Sequence, residues 1–230
     1  MGKPFEIKAP LGLPAVPIPA DDPPTADTVA LGRRLYYDQA LSADNTISCA
    51  SCHGPQMGFT NTRPVSIGVG GKTGTRHSPT VMNSAYNTMQ FWDGRAPSLE
   101  EQAKGPIANP VEMASTHADV VKRLQADPKY VALFKQAWGT KQVTIDLVAK
   151  SVAAFERTVL SGNSPFDPFL LRPRQNGTVA SRTARAQLFM DPRKANCEVC
   201  HTVGKDALTA PLPDNLGPPP DLAAKQTDQK

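Results

Sequence analysis

The stretch SCASCHGP, Ser48 to Pro55, decides the reading of this chain, because its pentapeptide Cys49-Ala50-Ser51-Cys52-His53 returns near the other end as Cys197-Glu198-Val199-Cys200-His201. All four cysteines of the 230 residues lie in these two copies and none is left over. Two thiols separated by two residues can each add to one vinyl group of a haem, forming thioethers, while the adjacent histidine sits beneath the iron as its axial ligand. On this basis Cys49 and Cys52, and again Cys197 and Cys200, attach two covalently bound haem c groups, with His53 and His201 as iron ligands. Two other chemistries use paired cysteines. A four-coordinate zinc site shared between the copies does not require a histidine directly after both pairs, and a thioredoxin-like redox pair belongs in a βαβ setting that this sequence lacks.

Composition agrees with a chain packed around a large cofactor. Aromatic residues make up 6% of the total while prolines number 23 and glycines 16, which predicts long irregular connections whose packing is completed by something other than side chains. The formal charge of +4 is spread along the chain without a Lys/Arg block, which argues against nucleic acid as a partner. No apolar run approaches the roughly 18 residues of a membrane span, and the N-terminus has no hydrophobic core like that of a signal peptide. Taken literally the chain reads as soluble. Haem attachment of this kind normally occurs outside the cytoplasm, so the expected location is periplasmic, with MGKPFEIKAP not the start of the native precursor.

Seven prolines between Pro4 and Pro24 force residues 1–24 into an extended or polyproline II arm. Val29, Leu31, Leu35 and Tyr36 then give a helical stripe ending near Asp38, and Ser42 to Asn45 reads as a turn into the first motif. Thr60 to Thr80 is a long loop. Beyond it, Ser98 with Glu101 predicts a capping box. Asp127 and Pro128 predict an N-cap and first turn before Tyr130, Val131, Phe134 and Trp138, and Thr144 opens a helix with Ile145, Val148, Val152, Phe155 and Val159 on one face. Strand alternation is absent. Gly162, Pro165 and Pro168, then Pro173, Asn176 and Gly177, mark a boundary near residue 165. The second module is expected to repeat the order helix, loop, CxxCH, with Ser181 capping a helix that carries Ala184, Leu188 and Phe189. The expected class is all-α: an arm (1–24), a first cytochrome c-like haem domain (25–164) and a second (165–230) that is incomplete, joined by long irregular loops.

Three further strings carry more specific information. PTVMNSAYNTMQFWDGRAPSLEEQAKGPIANPVEM (Pro79 to Met113), AFERTVLSGNSPFDPF (Ala154 to Phe169) and LGRRLYYD (Leu31 to Asp38) resemble the bacterial dihaem cytochrome c peroxidase family, which includes the methylamine-utilisation dihaem enzymes. The resemblance runs from about Ile18 to about Gly204. It implies that the first haem is the peroxidatic site and that the second, of higher potential, holds an electron in reserve. The family's bridging tryptophan in QFWDGR falls on Trp92, and its distal glutamine and glutamate in EQAKGP and NPVEM fall on Gln102 and Glu112. Arg95 is placed for contact with a haem propionate or for a surface ion pair. The implied reaction reduces hydrogen peroxide to water with electrons from a small cytochrome c or copper protein. Calcium and a homodimer also belong to the family pattern.

Chemistry gives Glu112 independent support. Splitting peroxide requires moving a proton from one oxygen to the other, and a carboxyl beside an open iron face can relay it, while Gln102 can position the peroxide. Taken alone, Glu112 is equally a solvated loop carboxylate and Trp92 a core aromatic; Trp138, at helical spacing with Phe134, reads as core. His117 reads as starting a surface helix.

The chain departs from the family in two places. Where the well-known peroxidases have a loop histidine that ligates the peroxidatic iron, this sequence has Val69. His77, nearer the PTV string, stands where many relatives have an asparagine that helps bind calcium. His77 is therefore either an iron ligand by another loop path or a loop hydrogen-bonder beside an open first haem. The methionine that ligates the second iron in relatives lies further downstream than this chain extends, and Met190 reads as packing against haem. Two alternatives to the peroxidase remain: a family member that oxidises tryptophan or another residue of a partner protein, and a dihaem electron carrier in which Glu112 is incidental.

Overall fold

The computed structural model describes residues 2–164 without interruption, together with residues 167, 184–185, 188–189, 191–195 and 197. Among the described residues the elements are α1 (Ala26–Tyr37), α2 (Cys49–Cys52), α3 (Leu99–Ala108), α4 (His117–Ala126), α5 (Pro128–Trp138) and α6 (Ile145–Glu156). Among these residues extended pairing is confined to isolated bridges such as Gly54–Thr60 and Gln90–Ala96. The class is all-α, as expected.

Local chemistry explains where these helices begin and end. Thr25 and Thr28 cap α1 reciprocally: the Thr28 N–H donates to Thr25 Oγ1 (3.1 Å) and the Thr25 N–H to Thr28 Oγ1 (2.8 Å). Asp38 ends the helix, and its Oδ1 accepts from the Ala40 N–H (2.8 Å) to start the turn toward the first motif. Asp127 and Pro128 open α5 as the sequence predicts, and Gly139 closes it at φ 72°, a left-handed position that suits glycine. Thr144 caps α6 by accepting from the Leu147 N–H (3.2 Å). The box at Ser98 is only half as expected. Ser98 Oγ accepts from the Glu101 N–H (3.2 Å), but the Glu101 carboxylate turns to Lys104 (2.7 Å) instead of back to the cap.

α6 is the central element, lying against α1 on one side and α3 on another. The crossing with α1 is close enough that a Cβ on Gly32 would stand 1.7 Å from the Ser151 carbonyl oxygen, so only glycine fits there. Around this crossing Leu35, Tyr36, Phe134, Val148 and Val152 are buried, and burying each of the larger side chains stabilises the fold by about 1.5–3 kcal/mol. Trp138 packs on the same core, and its indole N–H donates to Ser151 Oγ (2.9 Å). His117 begins α4 as expected, with Nε2 donating to the Lys104 carbonyl (2.9 Å).

The proline-rich arm folds back on itself at one point and is tied to the rest of the chain at others, among them the Lys150–Asp22 ion pair (3.5 Å). The Phe5 N–H donates to the Pro24 carbonyl (2.7 Å), the Asn163 N–H to the Leu11 carbonyl (2.6 Å) and the Tyr86 hydroxyl to the Pro14 carbonyl (2.8 Å). The stretch from Gly12 to Pro17 thereby becomes a wall of the site described next.

Candidate functional site

The first CxxCH is a single helical turn held at both ends. The Ser48 N–H donates to Ser51 Oγ (3.0 Å) and the His53 N–H to the Cys49 carbonyl (2.9 Å). The Tyr36 hydroxyl, reaching from α1, donates to the His53 carbonyl (2.9 Å). His53 Nδ1 lies 2.9 Å from the Pro79 carbonyl. A carbonyl can only accept, so Nδ1 carries the proton and Nε2 keeps a lone pair, the tautomer a metal-ligating histidine needs. Burial holds the imidazole below its usual range against the opposing pull of the Pro79 carbonyl, which favours that neutral form.

Cys49, Cys52 and His53 open into a cavity of about 1370 Å³, larger than the roughly 300–1,000 Å³ of ordinary small-molecule sites. Cys49 and Cys52 are free thiols in it, and burial pushes the Cys49 thiol up to about 12. A roomy, mostly apolar cavity that presents two thiols and one neutral imidazole from a single turn fits a haem c held by these three residues. Among the described residues no group of three or more His, Cys, Asp or Glu gathers to hold a separate metal ion.

Every candidate residue of the first module lines this one cavity: Trp92, Arg95, Gln102 and Glu112 join His77 and the motif. Glu112 is placed by the turn after α3. Asn109 Oδ1 accepts from the Val111 N–H (3.1 Å), and Asn109 Nδ2 donates to Glu112 Oε1 (2.9 Å). From the 60–80 loop, the Val69 N–H donates to the Glu112 carbonyl (2.8 Å). Burial raises the Glu112 carboxyl above its usual range, while Arg95 and Asn109 work against that rise. Gln102 lies on α3 one turn before Pro106, which has no N–H to return to the Gln102 carbonyl.

Trp92 is 40% exposed, and its indole N–H donates to the His77 carbonyl (2.7 Å). It is therefore part of the cavity wall and not a core aromatic. Arg95 pairs with Asp93 (2.7 Å), which also holds Arg76 (2.7 Å), and its guanidinium lies over the Phe91 ring at 3.5 Å from the centroid. Both ring nitrogens of His77 are engaged: Nδ1 donates to the Arg63 carbonyl (2.9 Å) and Nε2 is 3.0 Å from Thr60 Oγ1. These two contacts tie the His77 ring to the loop residues Thr60 and Arg63.

In the second motif, Cys197 is half-buried with Sγ 3.6 Å from the Ala195 carbonyl. Cys200, His201 and Met190 lie outside the described residues. An acidic cavity residue escaped the sequence reading. Glu156, the last residue of α6, is 5% exposed and faces the same space. Burial, opposed by Arg157 and helped by Glu100, pushes its carboxyl up to about 8. The signal was present: it stands one turn beyond Val152 on an otherwise apolar face.

Comparison with known proteins places this geometry. The family described as di-haem cytochrome c peroxidase matches residues 26–175. The chain is 42% identical over 193 residues to cytochrome c peroxidase Ccp of Escherichia coli K12, covering 82% of this chain and 40% of that protein. It is 46% identical over 157 residues to cytochrome c551 peroxidase of Nitrosomonas europaea, covering 68% and 47%. Among solved structures, a MauG-like protein associated with microbial copper homeostasis superposes with a TM-score of 0.75 at 30% identity, covering 86% of this chain and 58% of that one. The chain thus spans about half the length of the relatives it matches.

Proposed function

The chain belongs to the di-haem cytochrome c peroxidase family, and on that premise we propose that it reduces hydrogen peroxide to water at the cavity of its first module. The observation that carries the proposal is the convergence of Cys49, Cys52 and His53 with Gln102 and Glu112 on a single cavity. Bound covalently through the two thiols and His53, a haem c would supply the one-electron chemistry and the open metal position that peroxide reduction needs.

The chain's own residues supply the rest. Gln102 orients the peroxide by hydrogen bonding. Glu112 accepts the proton of one peroxide oxygen and returns it to the other, so that the leaving oxygen departs as water. The burial that raises its carboxyl suits this exchange, because it favours the protonated form the group must pass through. Asn109 keeps the carboxylate aimed. Two electrons and two protons complete the reduction of one peroxide to two waters. A small periplasmic cytochrome c or copper protein would supply the electrons, Cys197, Cys200 and His201 would hold a second haem c that stores one of them, and Trp92 would act as the bridging aromatic. Arg95 would contact a propionate of the bound group.

The test is Glu112→Gln in the loaded chain. Peroxide turnover should fall by about 10²–10⁴-fold, the usual worth of a general acid–base group, with both haem absorption spectra unchanged. A variant that keeps wild-type turnover removes the role. A second reading, oxidation of a residue on a partner protein, draws on the exposed Trp92 edge and on the likeness to a MauG-like structure. It predicts oxidation of an added protein substrate by peroxide under conditions where small-donor oxidation is slow.

A further inference from the structure

Glu156 has no part in the reaction just proposed, yet its setting is unusual for an acid. It is almost completely buried at the end of α6 and opens onto the cavity that holds Cys49, Cys52 and His53. The groups that face it are Tyr36 from α1, Cys49 from α2, Glu100 from α3 and Arg157, which follows on its own chain. Arg157 is the one cation in that set, and it gives its guanidinium to Glu100 (Nη1–Oε1 2.6 Å). No ion pair reaches Glu156 among the described residues. A buried carboxyl without a cation is costly to ionise. It is most easily held as the acid, and its charge state follows any other charge placed in the same cavity.

We propose that Glu156 is the proton-accepting partner of reduction in this cavity: its carboxylate takes one proton from solvent for each electron delivered to the haem held at Cys49 and Cys52, and releases it on reoxidation. The inference rests on the haem assignment above. One electron arrives from the one-electron donor, one O–H bond forms on a Glu156 oxygen, no other bond changes, and the net charge of the cavity is conserved. The physical reason is that an added electron left unbalanced in a low-dielectric cavity is unfavourable, and Glu156, a buried acid lining that cavity, can cancel it by taking up a proton. Its direction is fixed. The carboxylate favours the oxidised cofactor, so the reduction potential falls as pH rises while Glu156 loses its proton.

The measurement is a spectroscopic potential titration of the loaded full chain from about pH 6 to about pH 10, around the range in which the carboxyl ionises. In the wild type one of the two reduction waves should fall with pH at a slope approaching ~59 mV per pH unit, the one-electron equivalent of a tenfold change in proton activity. Glu156→Gln should abolish that fall and hold the wave at the wild-type low-pH value, while Glu112→Gln retains it. A fall that persists in Glu156→Gln overturns the proposal. If that variant does not load haem, the reduced-minus-oxidised infrared spectrum of the wild type decides: a protonated-carboxyl band must grow on reduction near pH 8, and its absence overturns the proposal. A wild-type mass without porphyrin at Cys49 and Cys52 sinks the haem assignment itself, and this inference with it; normal loading with an unchanged slope sinks this inference alone.

Discussion

Asn109 holds Glu112 twice, once through the turn that its Oδ1 closes on Val111 and once through the amide donated to the carboxylate. Asn109→Ala should loosen both. The loss of a hydrogen bond to a charged group is worth about 1.5–3 kcal/mol, which corresponds to a fall in kcat/KM for peroxide of roughly 10- to 100-fold. Haem absorption should not change; an unchanged kcat/KM would mean that Glu112 needs no aiming. Glu156 makes a different prediction, on stability. In the folded state its carboxyl is raised to about 8 from an ordinary 4.5, so between those values the folded chain holds a proton that the unfolded chain has released. Stability from this group is therefore complete below about pH 4.5, declines as pH rises, and levels off above about pH 8, a total of a few kcal/mol. The melting temperature of Glu156→Gln should exceed that of the wild type at pH 8 and the gap should close toward pH 5. A gap independent of pH would show that the glutamate is not ionising in place.

The helix starts at Asp127–Pro128 and Thr144 were legible in the sequence because a cap and the turn it closes lie within four residues. The capping box at Ser98 was legible only in part, since Lys104 competes for Glu101 and that contest is settled by the i,i+3 geometry of the finished helix. The path of the 60–80 loop was not legible, because it is decided by a contact far along the chain. Gly68 lies against the Glu112 turn so closely that a Cβ would stand 2.3 Å from the Val111 carbonyl oxygen and 2.4 Å from that of Glu112. Neither neighbour is a side chain that could swing aside. Gly68→Ala should therefore push the loop off the turn, break the Val69 to Glu112 hydrogen bond and cut peroxide turnover. The CxxCH attachment, which depends on α2 and Pro79, should survive. Haem stoichiometry by mass and turnover by donor oxidation separate the two effects; equal losses in both would place the loop's role in folding and not in positioning Glu112.

At the scale of the whole molecule, the two short-range patterns, CxxCH and the helical stripes, made the class and the Cys49–Cys52 turn legible in advance, since each is local. The closure of the cavity was hidden, because it joins segments that are remote in sequence: the arm at Pro14, the loop at Tyr86 and the chain leaving α6 at Asn163. The 1–24 stretch, expected as an arm apart from the first domain, supplies Gly12, Leu13 and Pro14 to the cavity wall and buries Val16. A chain lacking residues 2–17 would keep α1 to α6, whose core is formed after Thr25. It would lose one side of the cavity. Far-ultraviolet circular dichroism should then be close to that of the full chain, while a bulky ligand such as imidazole should bind faster relative to cyanide, because only the larger molecule was hindered by the wall. An unchanged ratio of the two rates would show that access runs through another face, and the arm would be left with a purely structural part.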